Sequence, residues 1–116
     1  MNSTYPSIKV NDIETTIMWY TDFLGFQCTY RNSIKNTEHA LIEKDTQKIY
    51  LIKDESREAY ASNVVIIETS DIEAEYNFLE NSGAIITKPI GKGSFSKNEF
   101  EIKDYEDNKL IYIKKI

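Results

Sequence analysis

The chain has 116 residues and a mass of 13.5 kDa, and 41% of its residues are hydrophobic. That length suits one ordinary domain, and the hydrophobic content argues against wholesale disorder. The 14 Lys and Arg residues face 19 Asp and Glu residues, so the formal charge is −5. This charge argues against a nucleic-acid partner, because phosphate contacts need clustered basic residues. The single Cys and the single His exclude an internal disulfide framework and a Cys/His zinc site.

The sequence also lacks the usual signals for membranes and secretion. Its first residues contain no basic segment followed by an apolar core, and no apolar run approaches membrane-spanning length. We therefore predict a cytoplasmic protein with no membrane partner.

The first half of the chain predicts a strand, a helix and three further strands. Apolar and polar residues alternate over 5–10, which is typical of a strand. Asn11 and Glu14 then form a candidate capping box, with Asn11 as the N-cap of a helix that ends at Gly25. The following strands are expected near 26–31, 38–43 and 48–53, with a hairpin turn between the last two.

The second half repeats this order of elements. A strand is expected over 63–69, and Ser70 and Glu73 form a second candidate capping box. The helix that follows is predicted to end at Gly83. Three strands are then expected near 84–87, 95–102 and 109–115.

The two halves are related by a constant spacing. Three residues of the second half follow their counterparts by 59 positions, namely Ile67 after Ile8, Asp71 after Asp12 and Ile72 after Ile13. This indicates an internal duplication, since a solenoid needs three or more units. We predict an α+β fold in which two βαβββ modules form a curled mixed sheet around a groove, with the helices outside. One domain is expected over 1–116, made of modules at about 4–53 and 63–116 that are joined by the polar loop 54–62.

Two motifs carry a resemblance to a known family. The run Val10–Glu14, with Trp19-Tyr20 and Phe23–Phe26 after it, resembles the first module of the vicinal oxygen chelate superfamily. That superfamily contains glyoxalases, extradiol dioxygenases, fosfomycin-resistance enzymes and bleomycin-resistance proteins. Phe100–Asn108 resembles its closing turn, although Tyr105 replaces the usual Pro and Asp107 the usual Gly. The resemblance spans essentially the whole chain.

The resemblance implies four positions for a catalytic metal. Enzymes of the superfamily hold a divalent cation with one side chain from each of four strands, mostly His and Glu. Carried over by motif, these positions are Tyr5, Tyr50, Val64 and Ile111. Val and Ile offer no donor atom, and Tyr is not a normal ligand of such metals. We therefore expect no metal, no cofactor and no catalytic residue, as in the metal-free bleomycin-resistance proteins, which sequester a drug.

Strand alternation predicts which side chains line the groove once Tyr5 is taken to face it. The candidate ligand-binding residues are Tyr5, Ser7, Lys9, Tyr50, Ile52, Val64, Ile66, Glu68, Ile111 and Ile113. They are mostly apolar or aromatic, which favours a planar hydrophobic or cationic small molecule, such as an antibiotic, over a phosphate. The acidic residues of 99–107 are interpreted as a solvated edge that could also attract a basic ligand, and His39 as a surface residue.

The resemblance further implies a homodimer, because bleomycin-resistance proteins build grooves across a dimer interface. Open sheet edges, which must be covered, give this expectation modest physical support. Two alternative functions stay open at this point. One is a metal-dependent lyase, transferase or dioxygenase of the same superfamily, and the other is a ligand-free module whose surface binds a protein.

Overall fold

The structure, a computed structural model, describes residues 5–56 and 63–115. Within these ranges the chain forms two helices and eight strands in the order βαβββ, repeated once, which confirms the predicted α+β fold of two modules. The first module comprises β1 (Ser7–Val10), α1 (Ile13–Leu24), β2 (Gln27–Arg31), β3 (His39–Lys44) and β4 (Gln47–Lys53). The second comprises β5 (Val64–Thr69), α2 (Ile72–Asn81), β6 (Ile85–Gly91), β7 (Glu99–Lys103) and β8 (Lys109–Lys114). No helix in the described ranges is both long enough and apolar enough to span a bilayer.

The contacts divide the chain into two compact units, residues 1–63 and 64–116. The first unit holds a four-stranded sheet in the order β1-β4-β3-β2, and the second a sheet in the order β5-β8-β7-β6. In each sheet the first and last strands of the module pair in parallel, and the other pairs are antiparallel. That the two modules form one domain stays a prediction. Residues 57–62 of the predicted connecting loop, and the outermost residues 4 and 116 of the two predicted modules, lie outside the described residues.

One face of the first sheet packs against α1. Ile8 and Val10 of β1 are buried on this face, as the alternation predicts, together with Ile42 and Leu51. The helix buries Ile13, Thr16, Ile17, Tyr20 and Leu24. Arg31 of β2 donates a hydrogen bond to the carboxylate of Glu14, in the first turn of α1, at 2.8 Å. This hydrogen bond lowers the pKa of the Glu14 carboxyl, because it stabilises the charged form.

The second sheet packs against α2 through an aromatic cluster. Phe100 stacks on Tyr112 with ring centroids 4.7 Å apart, and Tyr76 of α2 meets Phe100 edge-on at 5.1 Å. Burial raises the pKa of the Tyr112 hydroxyl, because the phenolate would lose its hydration. Val65 and Ile67 of β5 are buried on the same face, as predicted.

Both helices begin one residue later than the capping-box interpretation places them. The N-caps are Asp12 and Asp71, so the predictions of Asn11 and Ser70 are wrong. Each aspartate accepts a hydrogen bond from the backbone N–H three residues on, Thr15 and Ala74, both at 3.1 Å. Helix α1 ends as predicted at Gly25, whose φ of 81° is the left-handed conformation that glycine adopts readily.

Candidate functional site

The face of the first sheet that is turned away from α1 carries the predicted residues of that module; we call it the opposite face of the sheet. Ser7 pairs directly with Tyr50, and Lys9 with Ile52, so the register brings these four side chains together. Tyr50 and Ile52 are half-buried, whereas Ser7 and Lys9 are exposed. Lys9 lies 3.8 Å from Asp54, and hydrogen bonds from Ser56 lower the pKa of that carboxyl.

Three further side chains lie on the opposite face of the first sheet but were not among the predicted site residues. The ring of His39 lies 6.0 Å from that of Tyr50, and Leu41 pairs with Tyr50 across β3 and β4. The Lys48 ammonium lies over the Tyr5 ring, 5.3 Å from its centroid. The interpretation of His39 as a surface residue missed its place beside Tyr50. The alternation of side chains along the strands could have shown this. His39, Leu41 and Tyr50 fall on the same face once β3 and β4 are paired as a hairpin.

The opposite face of the second sheet, turned away from α2, carries the predicted residues of the second module. Ile66 pairs with Ile111 and Glu68 with Ile113 across β5 and β8. Ile111 is 7% exposed, and Val64 at the start of β5 is 53% exposed. The structure therefore brings the ten predicted residues together as two groups, one on each sheet. Their role in ligand binding stays a prediction.

The interpretation of the acidic residues of 99–107 as a solvated edge is wrong for Glu99 and Glu101 of β7. Glu99 is 8% exposed and Glu101 is 4% exposed. Oε1 of Glu99 accepts hydrogen bonds from the backbone N–H groups of Phe95 and Ser96, both at 2.8 Å. Glu101 pairs with Ile111 across β7 and β8 and therefore lies on the opposite face of the second sheet. Two buried carboxylates thus belong to the surroundings of the predicted ligand residues.

The positions that the resemblance assigns to a metal do not fit one. Tyr5 and Tyr50 offer phenolic oxygens, and Val64 and Ile111 offer only hydrocarbon, so the donor set of zinc, iron or nickel sites is lacking. In residues 5–56 and 63–115, no three His, Cys, Asp or Glu side chains are grouped so that they could hold a metal ion. No metal-dependent step follows from these side chains.

Two cavities lie away from the predicted residues. One of about 400 Å³ lies at the start of α1, and its lining includes Glu14, Lys35 and Lys53. The other, of about 460 Å³, lies beside the ends of β2 and β3, and its lining includes Thr29, Glu43 and Lys44. Charged and polar side chains line both, unlike the mostly apolar pockets that take organic ligands.

Comparison with known proteins gives one family and many similar folds. Residues 4–111 match the family model described as Glyoxalase/Bleomycin resistance protein/Dioxygenase superfamily. No curated protein matches the sequence.

Three solved structures illustrate the similarity. The bleomycin-binding protein from Streptomyces verticillus, complexed with copper(II)-bleomycin, has a TM-score of 0.83 and 16% identity over 100% of this chain and 98% of that chain. TioX from Micromonospora sp. ML1 has a TM-score of 0.80 and 15% identity over 99% of this chain and 100% of that chain. A bleomycin resistance determinant encoded on the transposon Tn5 has a TM-score of 0.74 and 13% identity over 98% of each chain.

At these identities the similar structures show a shared fold and nothing finer. The family model, in contrast, spans nearly the whole chain, including the first module with its motif at Val10–Glu14 and most of the second module. The chain therefore belongs to the glyoxalase/bleomycin resistance protein/dioxygenase superfamily.

Proposed function

We propose that this protein binds a flat organic molecule, hydrophobic or cationic, through the opposite faces of its sheets and without a metal ion. The observation that carries the proposal is the chemistry of the positions at which the superfamily's enzymes hold a metal. Tyr5 and Tyr50 present rings there, and Val64 and Ile111 present aliphatic groups. Aromatic and aliphatic side chains favour a planar ligand over a metal-bound one.

The similar structures support an antibiotic as the class of ligand. Two of them are described as a bleomycin-binding protein and as a bleomycin resistance determinant. We propose that this chain sequesters such a molecule, because binding alone needs no catalytic group.

The environment of Tyr50 supports a stacking role for its ring. Tyr50 is half-buried, with the His39 ring at 6.0 Å and Ser7 and Leu41 as its cross-strand neighbours. A ring held in this way loses little conformational freedom when a planar ligand stacks on it. Tyr5 differs, since the Lys48 ammonium already lies over its ring. We therefore expect Tyr50 to contribute more to binding than Tyr5.

Substitution of the two tyrosines tests the proposal. Tyr50→Ala should weaken binding by about 5- to 150-fold, and Tyr5→Ala by less, because a stacked aromatic contributes about 1–3 kcal/mol. Binding is measured by isothermal titration calorimetry with metal-free bleomycin and with acridine orange, a planar aromatic cation.

Tyr105→Ala is the matched control. Tyr105 is 48% exposed and lies in the turn between β7 and β8, so its removal should leave affinity unchanged. The assignment of the binding surface is wrong if folded Tyr5→Ala and Tyr50→Ala bind a probe as tightly as the wild type does. The sequestration function is wrong if the wild type binds neither probe.

We also propose that the protein is a homodimer. Each sheet of the described chain is open and has two edge strands, β1 and β2 in one sheet and β5 and β6 in the other. Unpaired edges expose backbone N–H and C=O groups that proteins usually cover. Size-exclusion chromatography with light scattering at micromolar concentration should give about twice the 13.5 kDa mass of the chain. A species with the mass of a single chain would contradict the proposal.

A further inference from the structure

A β-bulge in the second sheet places two polar side chains against one carboxylate. The pairing of β6 with β7 passes from Ile86 opposite Ile102 to Lys88 opposite Glu101, so Thr87 is an extra residue. The Thr87 hydroxyl donates a hydrogen bond to Oε2 of Glu101 at 2.6 Å. The Lys88 ammonium lies 4.0 Å from the other oxygen, Oε1. Bulges redirect side chains in this way and are frequent next to binding sites.

Thr87 contacts the Glu101 carboxylate more closely than Lys88 does. The hydroxyl bond is short, whereas 4.0 Å between Lys88 Nζ and Glu101 Oε1 is longer than a hydrogen bond. The Lys88 side chain is 71% exposed, but that of Glu101 is only 6% exposed. A buried carboxylate is costly unless a cation or several donors compensate for its lost hydration. The charge at Oε1 of Glu101 is therefore compensated only weakly by the Lys88 ammonium, which leaves room for a second cation there.

The position of Glu101 connects it with the proposed ligand surface. Glu101 pairs with Ile111 on β8, and Ile111 pairs in turn with Ile66 on β5. The three side chains form one row across the opposite face of the second sheet. A ligand that packs on this face would therefore lie close to the Glu101 side chain.

We propose that Glu101 recognises a positively charged group of the ligand, a primary ammonium or a guanidinium, and that Lys88 occupies this position until the ligand replaces it. The inference rests on the proposed function and makes it narrower, since it assigns the charge of the ligand to one carboxylate. Removal of Lys88 should then strengthen the binding of cations, and removal of the Glu101 charge should weaken it. A merely structural ion pair would not give effects of opposite sign.

The experiment uses two probes with the same flat ring and different charge. One is anthracene with an aminomethyl group, a cation at neutral pH, and the other is anthracene with a hydroxymethyl group, which is neutral. Lys88→Gln should raise the affinity for the cation by about 2- to 5-fold, because it removes a competing surface ammonium. Glu101→Gln should lower it by about 10-fold or more, because a charged hydrogen bond is lost. The affinity for the neutral probe should change by less than about 2-fold in both variants.

Lys97→Gln is the matched control, since Lys97 is an exposed lysine of the loop that precedes β7. Thermal unfolding shows whether each variant is folded. If Glu101→Gln does not fold, the binding of the cationic probe to Lys88→Gln decides the test. The inference is overturned if Lys88→Gln leaves cation binding unchanged or weakens it, while the neutral probe still binds. If the wild type and Lys88→Gln bind neither probe, the proposed function itself fails, and the inference fails with it.

Discussion

Glu99 stabilises the loop between β6 and β7 through its own carboxylate. Its Oε1 accepts two backbone hydrogen bonds, from Phe95 and Ser96. The backbone of Gly93 approaches the same carboxylate so closely that a side chain at this position would overlap it. Backbone donors replace the water that the carboxylate loses on burial. A charged side chain thus acts as the centre of a small folded loop.

Substitution of Gly93 tests this packing. Gly93→Ala adds a Cβ that would overlap the carboxyl group of Glu99, so the loop or the carboxylate must move. We expect the free energy of unfolding to fall by about 1–3 kcal/mol, as for other overpacked sites. Urea denaturation followed by circular dichroism measures this change.

Gly91→Ala is the control for this substitution. Gly91 lies two residues away, at the end of β6, and a Cβ there would meet nothing within 4 Å. Its substitution should change the free energy of unfolding by no more than about 1 kcal/mol. Equal destabilisation by the two substitutions would show that backbone flexibility, rather than contact with Glu99, matters at Gly93.

At the scale of the elements, the start of α1 depends on one aspartate. Asp12 accepts hydrogen bonds from the backbone N–H of Thr15 at 3.1 Å and from its hydroxyl at 2.9 Å. Asp12→Ala should therefore lower the free energy of unfolding by about 0.5–2 kcal/mol, the usual contribution of an N-cap. Thermal or urea denaturation checks this, and Ser70→Ala should have almost no effect because Asp71, not Ser70, caps α2.

The same cap predicts a dependence of stability on pH. The hydrogen bonds from Thr15 lower the pKa of the Asp12 carboxyl in the folded chain. Its contribution is therefore present above the pKa of the unfolded chain, about 4, and is lost as the pH falls through the lower folded value. Asp12→Asn keeps a good capping group without the titration. As the pH falls from neutral to about 3, the free energy of unfolding of Asp12→Asn should therefore rise relative to that of the wild type. If the difference between the two does not change, the Asp12 charge does not contribute.

The order of elements was predictable because helix and strand periodicities differ and recur in both modules. The caps were displaced by one residue because Asn11 and Asp12, like Ser70 and Asp71, are adjacent residues that can all cap a helix. The bulge at Thr87 was not predictable, since an extra residue in one strand shows only when the partner strand is paired with it.

The burial of Glu99 and Glu101 had no clear signal in the sequence. Charged and apolar residues alternate in β7, and such alternation usually indicates one face in water. The prediction that Ile66 and Ile111 share one face followed from the alternation of side chains along a strand. This alternation depends on the strand alone and not on the residues that pack against it. The sequence thus identifies a face more readily than the surroundings of that face.

For the whole molecule, the absence of metal donors at the assigned positions predicts indifference to metal ions. Addition of EDTA, or of an equimolar amount of zinc, nickel or manganese chloride, should leave Tm unchanged within about 1 °C, because a ligand that does not bind the folded state does not stabilise it. Differential scanning fluorimetry measures Tm, and elemental analysis of protein purified without chelator gives the metal content. A stoichiometric metal, or a rise in Tm that saturates with its concentration, would restore the metal-dependent enzyme as the better interpretation.

The bulge also affects how the two copies of the duplicated module can change over time. Thr29 and Thr87 are the extra residues of equivalent bulges and lie 58 positions apart. The next residue is Tyr30, opposite Leu41, in one copy and Lys88, opposite Glu101, in the other. A bulge at the same place in each module is therefore followed by an aromatic–aliphatic pair in one copy and by a charged pair in the other. On the proposed ligand surface, single substitutions at Tyr30 or Lys88 should therefore change which ligand is preferred, because the backbone, not these side chains, maintains the pairing of the strands.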